Sequence, residues 1–343
     1  MVYLLHTALI EVASRADSSG DQGQTTNCNW NTCPLSDSYW GYRPSLAANL
    51  TFLILFAIST LVYVGQGFLN KAWLGFTIAM VCGCLLEVIG YIGRVLAYNN
   101  GFTESPFLIQ IICLTIAPAF MAAGIYLCLS RIVSTFGVEN SCIKPLSYPR
   151  IFVPCDIISL ILQAAGGGIA SVKVNEDEDP SLGNNIMLAG LSFQVLTLLI
   201  FIVLALDFTI RTTGRIREFG QDALDYRHAK LRSSWQFKGF LMALSFATLC
   251  IFARCVYRVA EMSEGWTGHL MKTQSYFIGL EGAVIVAAAL SLNVFHPGIC
   301  FREALDSRIK TEKSSSQTWY RKRRNASNGR DSEDTLVEKE DLR

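Results

Sequence analysis

Long apolar runs separated by short polar stretches organise this chain. Seven of them occupy roughly 46–66, 73–97, 107–130, 151–172, 186–206, 236–257 and 275–295. Each reaches the ~20 residues a helix needs to cross a ~30 Å hydrocarbon core. None alternates with the period of two that marks a barrel strand. A helix satisfies its backbone groups internally, so apolar runs of this length are expected to be helical. The pattern predicts an all-α membrane protein: a seven-transmembrane-helix bundle over 46–298, after an N-terminal segment 1–45 and before a tail 299–343.

Composition excludes whole classes of function. Of 343 residues, 51% are hydrophobic and 17% charged, against about 25% charged in an average soluble domain. A soluble globular enzyme, a nucleic-acid binder and a disordered protein are all set aside. The net charge of +1 hides an asymmetry. With the N-terminus outside, 22 of the 29 Lys and Arg fall in the first, third and fifth connections or after His296. The fifth connection alone holds Arg211, Arg215, Arg217, Arg227, Lys230, Arg232 and Lys238, and the tail carries Arg321, Lys322, Arg323 and Arg324. The fourth connection is acidic, with Glu176, Asp177, Glu178 and Asp179. The positive-inside rule then predicts the N-terminus outside and the C-terminus in the cytoplasm.

The N-terminal segment is polar and ends in Trp30, Tyr39, Trp40 and Tyr42. Residues 2–10 are mildly apolar, but no basic stretch precedes them and Glu11 interrupts them, which argues against a cleaved signal over 1–16. The charged, Ser-rich tail is expected to be disordered, with its basic run either solvated or against anionic lipid. Most cysteines, such as Cys82, Cys84, Cys113, Cys128, Cys250 and Cys255, lie in spans and act as small hydrophobes. Cys28 and Cys33 fall in the external segment, where a disulfide is favoured over two free thiols. Cys300, just inside the last span, is a weaker candidate for acylation.

The informative residues are the ionisable ones inside the spans, where a charge costs roughly 2.5–3.5 kcal/mol on insertion scales. Glu87, Gly90, Tyr91 and Arg94 share one face of span two, and Arg254, Tyr257, Arg258 and Glu261 one face of span six. Glu281 lies in the external third of span seven. Span four carries Asp156, then Gln163 near mid-depth, then Gly166-Gly167-Gly168. The three acids and three arginines are expected to meet in the external half of the bundle. Two readings stay open: ion pairs that brace the helices, or a polar pocket for the headgroup of an amphiphile. Pro118 is expected to kink span three. Ala79 and Gly83 offer a packing face. The triple glycine fits close packing or local unwinding. Pro297-Gly298 is expected to end the last helix, with His296 an unremarkable interfacial residue.

Several activities have no residues to carry them. There is no phosphate-binding Gly-x-x-x-x-Gly-Lys-Ser/Thr loop and no Gly-x-Ser-x-Gly elbow. The four histidines, His6, His228, His269 and His296, are scattered, so zinc ligands are missing. The last span has no lysine for a retinal Schiff base. No cofactor and no enzymatic activity are expected.

Several stretches resemble a known family in order and spacing. They are Tyr42-Arg43-Pro44-Ser45; Glu87 through Arg94; Ala117-Pro118-Ala119-Phe120 with Tyr126; Asp156 with Gln163 and the triple glycine; Arg254-x-x-Tyr257-Arg258-x-x-Glu261 with Gly265; and Asn293 through Gly298. Over about 40–300 the sequence resembles the fungal lipid-translocating exporters, also called the resistance-to-aminocholesterol family, which includes the sphingoid long-chain-base exporters. The resemblance implies a seven-span protein, in the plasma membrane by family default, linked to movement or tolerance of toxic amphiphilic lipids. On this reading Glu87, Glu261 and Glu281 hold an amine, and the arginines tune them or hold a phosphate. Tyr91, Tyr257, Asp156 and Gln163 complete the site. The alternative is a seven-transmembrane receptor or regulator that senses lipid and acts on other transporters. A cytoplasmic protein partner would then meet the basic fifth connection and tail.

Overall fold

The computed structural model describes residues 30, 33–34, 38–99, 101–136, 141–176, 178–219, 234–265 and 268–301. Seven long apolar helices account for nearly all of them, and no strand occurs among the described residues. They are α1 Leu46–Leu69, α2 Leu74–Asn99, α3 Glu104–Phe136, α4 Ser147–Asn175, α5 Ser181–Phe219, α6 Trp235–Ser263 and α7 Gln274–Cys300. Each runs a few residues past its apolar run, because polar ends continue the helix where the backbone can still bond itself. At 39 residues, α5 rises roughly 58 Å and must project beyond the hydrocarbon.

The helices close into a ring. Neighbours in sequence pack against each other, α7 returns to α1 and α6, and α3 also touches α5 and α6, so it lies innermost. Outward positions are large and apolar: Ile54, Ile58 and Leu61 on α1, Ile158 and Ile161 on α4, Leu199 and Val203 on α5, Phe246 and Leu249 on α6. A soluble fold rarely exposes so continuous an apolar belt, and here it faces lipid. The protein is an integral, multi-pass membrane protein.

Small residues set the helix spacing. A Cβ on Gly83 would meet Met121 Cγ at 2.8 Å, and one on Gly93 would meet the Pro106 carbonyl oxygen at 2.8 Å, so α2 lies close on α3. Gly166 and Gly183 do the same for α4 and α5, each facing backbone of the other helix around Met187 and Ala170. Of the triple glycine, Gly166 serves close packing, Gly167 has only Met187 Sδ in ordinary contact and Gly168 has open space, and α4 runs through all three unbroken.

Three expectations need correcting or completing. The α7 segment is not one regular helix: a π-helical stretch Phe277–Ala283 precedes the α-helical Val284–Val294. Pro297-Gly298 does not end the helix, which stops at Val294; Pro297 instead opens a new turn, Pro297–Cys300, where its missing N–H costs nothing. His296 is fully buried and caps that turn, its Nδ1 accepting from the Gly298 amide at 3.0 Å. Its Tyr63 and Phe76 neighbours are aromatic. Cys33 is disulfide-bonded; Arg211, Arg215 and Arg217 of the expected fifth connection continue α5, and Lys238 lies on α6; Cys28, most of 1–45, residues 220–233 and the tail beyond 301 lie outside the described residues.

Candidate functional site

Leu114 on α3 would ordinarily bond its carbonyl to the amide of residue 118, but Pro118 has no amide hydrogen. Arg254 of α6 fills that vacancy, its Nη2 donating to the Leu114 carbonyl oxygen at 2.5 Å. One turn further along α6, Arg258 Nη2 donates to Thr115 Oγ1 at 3.1 Å. The proline thus frees the carbonyl on which Arg254 docks, besides interrupting the α3 ladder, and the Thr115 hydroxyl beside it seats Arg258.

From that seat Arg254 reaches two carboxylates. Its Nη2 donates to Glu281 Oε1 at 2.6 Å, and its Nη1 stands 3.4 Å from Glu87 Oε1. All three side chains are at most 1% exposed. Glu281 lies within the π-helical stretch of α7. Such stretches widen one turn, re-aim a side chain and recur at functional sites. The sharing is unequal. Glu281 holds a charge-assisted hydrogen bond, whereas neither oxygen of Glu87 has a hydrogen-bond partner. Glu281 Oε2, the Tyr91 hydroxyl, Arg254 Nε and Arg258 Nε are likewise unpartnered. Buried polar atoms are rarely left so, and the free acceptors among them, on Glu87 and Glu281, suit a ligand donor.

The remaining members divide by partner. Arg258 Nη1 donates to Glu261 Oε2 at 2.5 Å along the same helix, and the Tyr257 hydroxyl donates to Glu261 Oε1 at 3.3 Å. Arg94 has no acid partner among the described residues: it donates to Asn49 Oδ1 at 2.9 Å and to the Tyr42 hydroxyl at 3.0 Å, and lies 3.7 Å over the Phe277 ring. Tyr91 stacks on Phe56 and tilts against Phe52. The three acids and three arginines thus share one half of the bundle, but among the described residues only Arg254 ties three helices together through ion pairs.

Asp156 and Gln163 form a separate group in the seam of α3, α4 and α5. The groups facing Asp156 are the Tyr126 and Thr197 hydroxyls. Gln163 Nε2 donates to Gln194 Oε1 at 3.0 Å. Asp156 Oδ2, Gln163 Oε1 and the Tyr126 hydroxyl have no hydrogen-bond partner. A narrow crevice links this seam to the arginines, between Thr115 and Pro118 of α3, Leu191 and Gln194 of α5, and Arg254 and Arg258 of α6. It has room for about one water, too little for a headgroup, and the acids beyond it are fully buried.

Residues before α1 cover the Arg94 end. Trp40 is buried against Phe107 and donates to Gln110 Oε1 at 2.8 Å; Tyr39 stacks on Phe107. Burial and the nearby Glu104 carboxylate push the Tyr39 phenol up. The Arg43 guanidinium lies 4.1 Å over Tyr98. Among the described residues no cluster of His, Cys, Asp or Glu could hold a metal ion. Sequence reasoning missed Asn49, Thr115, Gln194 and Thr197 as partners, since hydroxyls and amides are common in spans and carry no signal alone. The Leu114 carbonyl had one signal, Pro118 four residues on.

Comparison with known proteins finds relatives across most of the bundle. The pattern of the RTA1 like protein family matches residues 80–304. The chain is 35% identical to a sphingoid long-chain base transporter, RSB1, of Saccharomyces cerevisiae over 286 residues, 77% of this chain and 74% of the relative. It is 28% identical to protoporphyrin uptake protein 1 of the same organism, covering 74% of this chain and 91% of that protein. Protein RTM1 of that yeast is 31% identical over 60% of this chain and 62% of its own. No solved structure matches.

Proposed function

Since the chain belongs to the RTA1-like family, we propose that it translocates cationic amphiphilic lipids such as sphingoid long-chain bases and so protects the cell from toxic amphiphiles. One observation carries the reading. Glu87 is a fully buried carboxylate with both oxygens free of hydrogen bonds, beside Glu281 Oε2, which is equally free. A primary ammonium brings three donors and one positive charge, which matches what Glu87 lacks. The Tyr91 hydroxyl and Glu281 Oε2 are likewise without hydrogen-bond partners. Arg254 holds the two acids in place, and Arg258, with Tyr257 and Glu261, lines the way in from the crevice. Arg94 closes the far end. The acyl chain stays in lipid while the headgroup passes between helices.

This reading places the N-terminus outside and the basic connections and tail in the cytoplasm. It keeps the division into segment 1–45, bundle 46–298 and tail 299–343, with the plasma membrane as location. The enclosed site requires helix movement to admit a headgroup. That enclosure also favours a second reading, a lipid sensor whose bundle shifts on binding and signals through the basic cytoplasmic surface. Purified protein in vesicles, loaded on one leaflet with a fluorescent sphingoid base, separates the two. Transbilayer movement faster than in protein-free vesicles supports the translocator; binding without faster movement sinks it and leaves the sensor.

A further inference from the structure

The buried charges of the bundle do not balance. Four carboxyls are buried, on Glu87, Asp156, Glu261 and Glu281, against three arginines, Arg94, Arg254 and Arg258. His296 is buried too, but its Nδ1 accepts from the Gly298 amide and so carries no proton, which leaves the imidazole neutral; with the four acids and three arginines ionised, the described core is one positive charge short. An uncompensated charge in a lipid-embedded bundle is strongly opposed by solvation, so a single cation belongs there.

Two places can take it. One is Glu87, for the reasons above. The other is Asp156, the one buried acid without an ion pair among the described residues, whose Oδ2 has no partner. The groups around Asp156 are Tyr126 of α3, Thr197 of α5 and the Cys255 thiol of α6. None of them is a base. A metal cation fits poorly, since it needs roughly six oxygens close together. The next free oxygen on α4, Gln163 Oε1, is seven residues and about 10 Å of helix rise away. A proton needs only one oxygen. Cys255 lines the crevice together with Arg254 and Gln194, and its thiol feels the charges of Asp156 and Glu281 alike, so the α3–α4–α5 seam and the arginine site share one low-dielectric interior. In a low-dielectric interior a charge gained at one is felt at the other.

We propose that Asp156 is a proton-binding site, and that a proton there and an amphiphile's ammonium at Glu87 are alternative ways of neutralising the bundle, so that one cationic lipid is exchanged for one proton. The step balances. As the ammonium settles beside Glu87, the O–H bond of the Asp156 carboxyl breaks and its proton leaves to water when the α3–α4–α5 seam opens. The core stays neutral before and after. The inference rests on the translocator reading and adds its energy source.

The test uses the full chain in vesicles with an entrapped pH dye, an imposed pH gradient and a fluorescent sphingoid base. Signals are taken over protein-free vesicles, which removes passive flipping of the neutral amine. Wild type is expected to concentrate the base against its gradient, with about one proton moved per base, as charge balance requires. Asp156→Asn is expected to lower the ratio of gradient-driven to downhill movement ~10-fold, and Asp156→Glu to restore it. If Asp156→Asn does not fold, the proton count and the Asp156→Glu ratio still decide. A sodium gradient driving wild type, an undiminished ratio in Asp156→Asn, or base movement without proton movement overturns the exchange while leaving translocation intact. No movement of base by wild type overturns both.

Discussion

Arg254 donates to the carbonyl of Leu114, the acceptor that Pro118 leaves open one turn along α3. Removing the proline should therefore do two opposite things. Pro118→Ala supplies an amide hydrogen to Leu114, which strengthens the helix, and makes that amide compete with Arg254 for the Leu114 carbonyl. The expected outcome is thermal stability in detergent equal to or above wild type, with sphingoid-base movement slowed ~10-fold, the loss of about one buried charge-assisted hydrogen bond. Unchanged movement would mean the seat does not matter.

Arg254 itself is expected to be structural and functional together. Truncation to Leu leaves Glu87 and Glu281 buried without a cation, a situation that costs ~3–5 kcal/mol. A large fall in melting temperature or in yield is expected. Arg254→Leu combined with Glu87→Gln and Glu281→Gln should recover much of that stability without recovering transport. Failure of the triple variant to recover any stability would contradict the ion-pair account.

Arg258 separates bracing from binding. Its acid partner, Glu261, is on its own helix, so the pair joins no two helices; only the bond to Thr115 crosses. Arg258→Leu with Glu261→Leu should keep surface expression and lose less than ~2 kcal/mol, because a buried pair replaced by apolar groups is often near neutral. Tolerance to added sphingoid base should fall to that of cells lacking the protein. Normal tolerance in a well-expressed double variant would leave the pair a mere brace.

The glycines of α4 offer an internal control. Gly166→Ala places a methyl against the backbone of α5 near Met187, whereas Gly168 has open space around it. The first is expected to cost ~1–3 kcal/mol through overpacking and the second to be nearly silent in a melting assay. Equal effects would argue against a tight α4–α5 seam.

Much of this arrangement is legible in the sequence, for a physical reason. An ionisable residue in an apolar run must face something other than lipid, so the spans themselves direct Glu87, Arg254 and Glu281 toward one another. The apolar runs likewise locate all seven helices. The rest depends on distances across helices. The Leu114 carbonyl becomes an acceptor only because α6 passes beside it. The π-helical stretch is invisible because Phe277–Ala283 reads as an ordinary apolar run. Polarity alone groups Asp156 and Gln163 with the arginines, yet α4 packs on α3 and α5 and turns them into a separate seam. Arg94 reads as an acid's partner, and instead Asn49, Tyr42 and Phe277 satisfy it.

Central to the account is an unsatisfied Glu87 that receives the amine of a lipid. The most direct measurement is the transbilayer rate of a fluorescent sphingoid base in vesicles holding wild type or Glu87→Gln, matched for protein content and melting temperature. The amide keeps the shape and removes the charge. The account expects wild type to exceed protein-free vesicles at least ~10-fold and Glu87→Gln to fall back to their rate, as loss of one buried charge contact implies. A Glu87→Gln rate equal to wild type, or a wild-type rate no faster than protein-free vesicles, would contradict it.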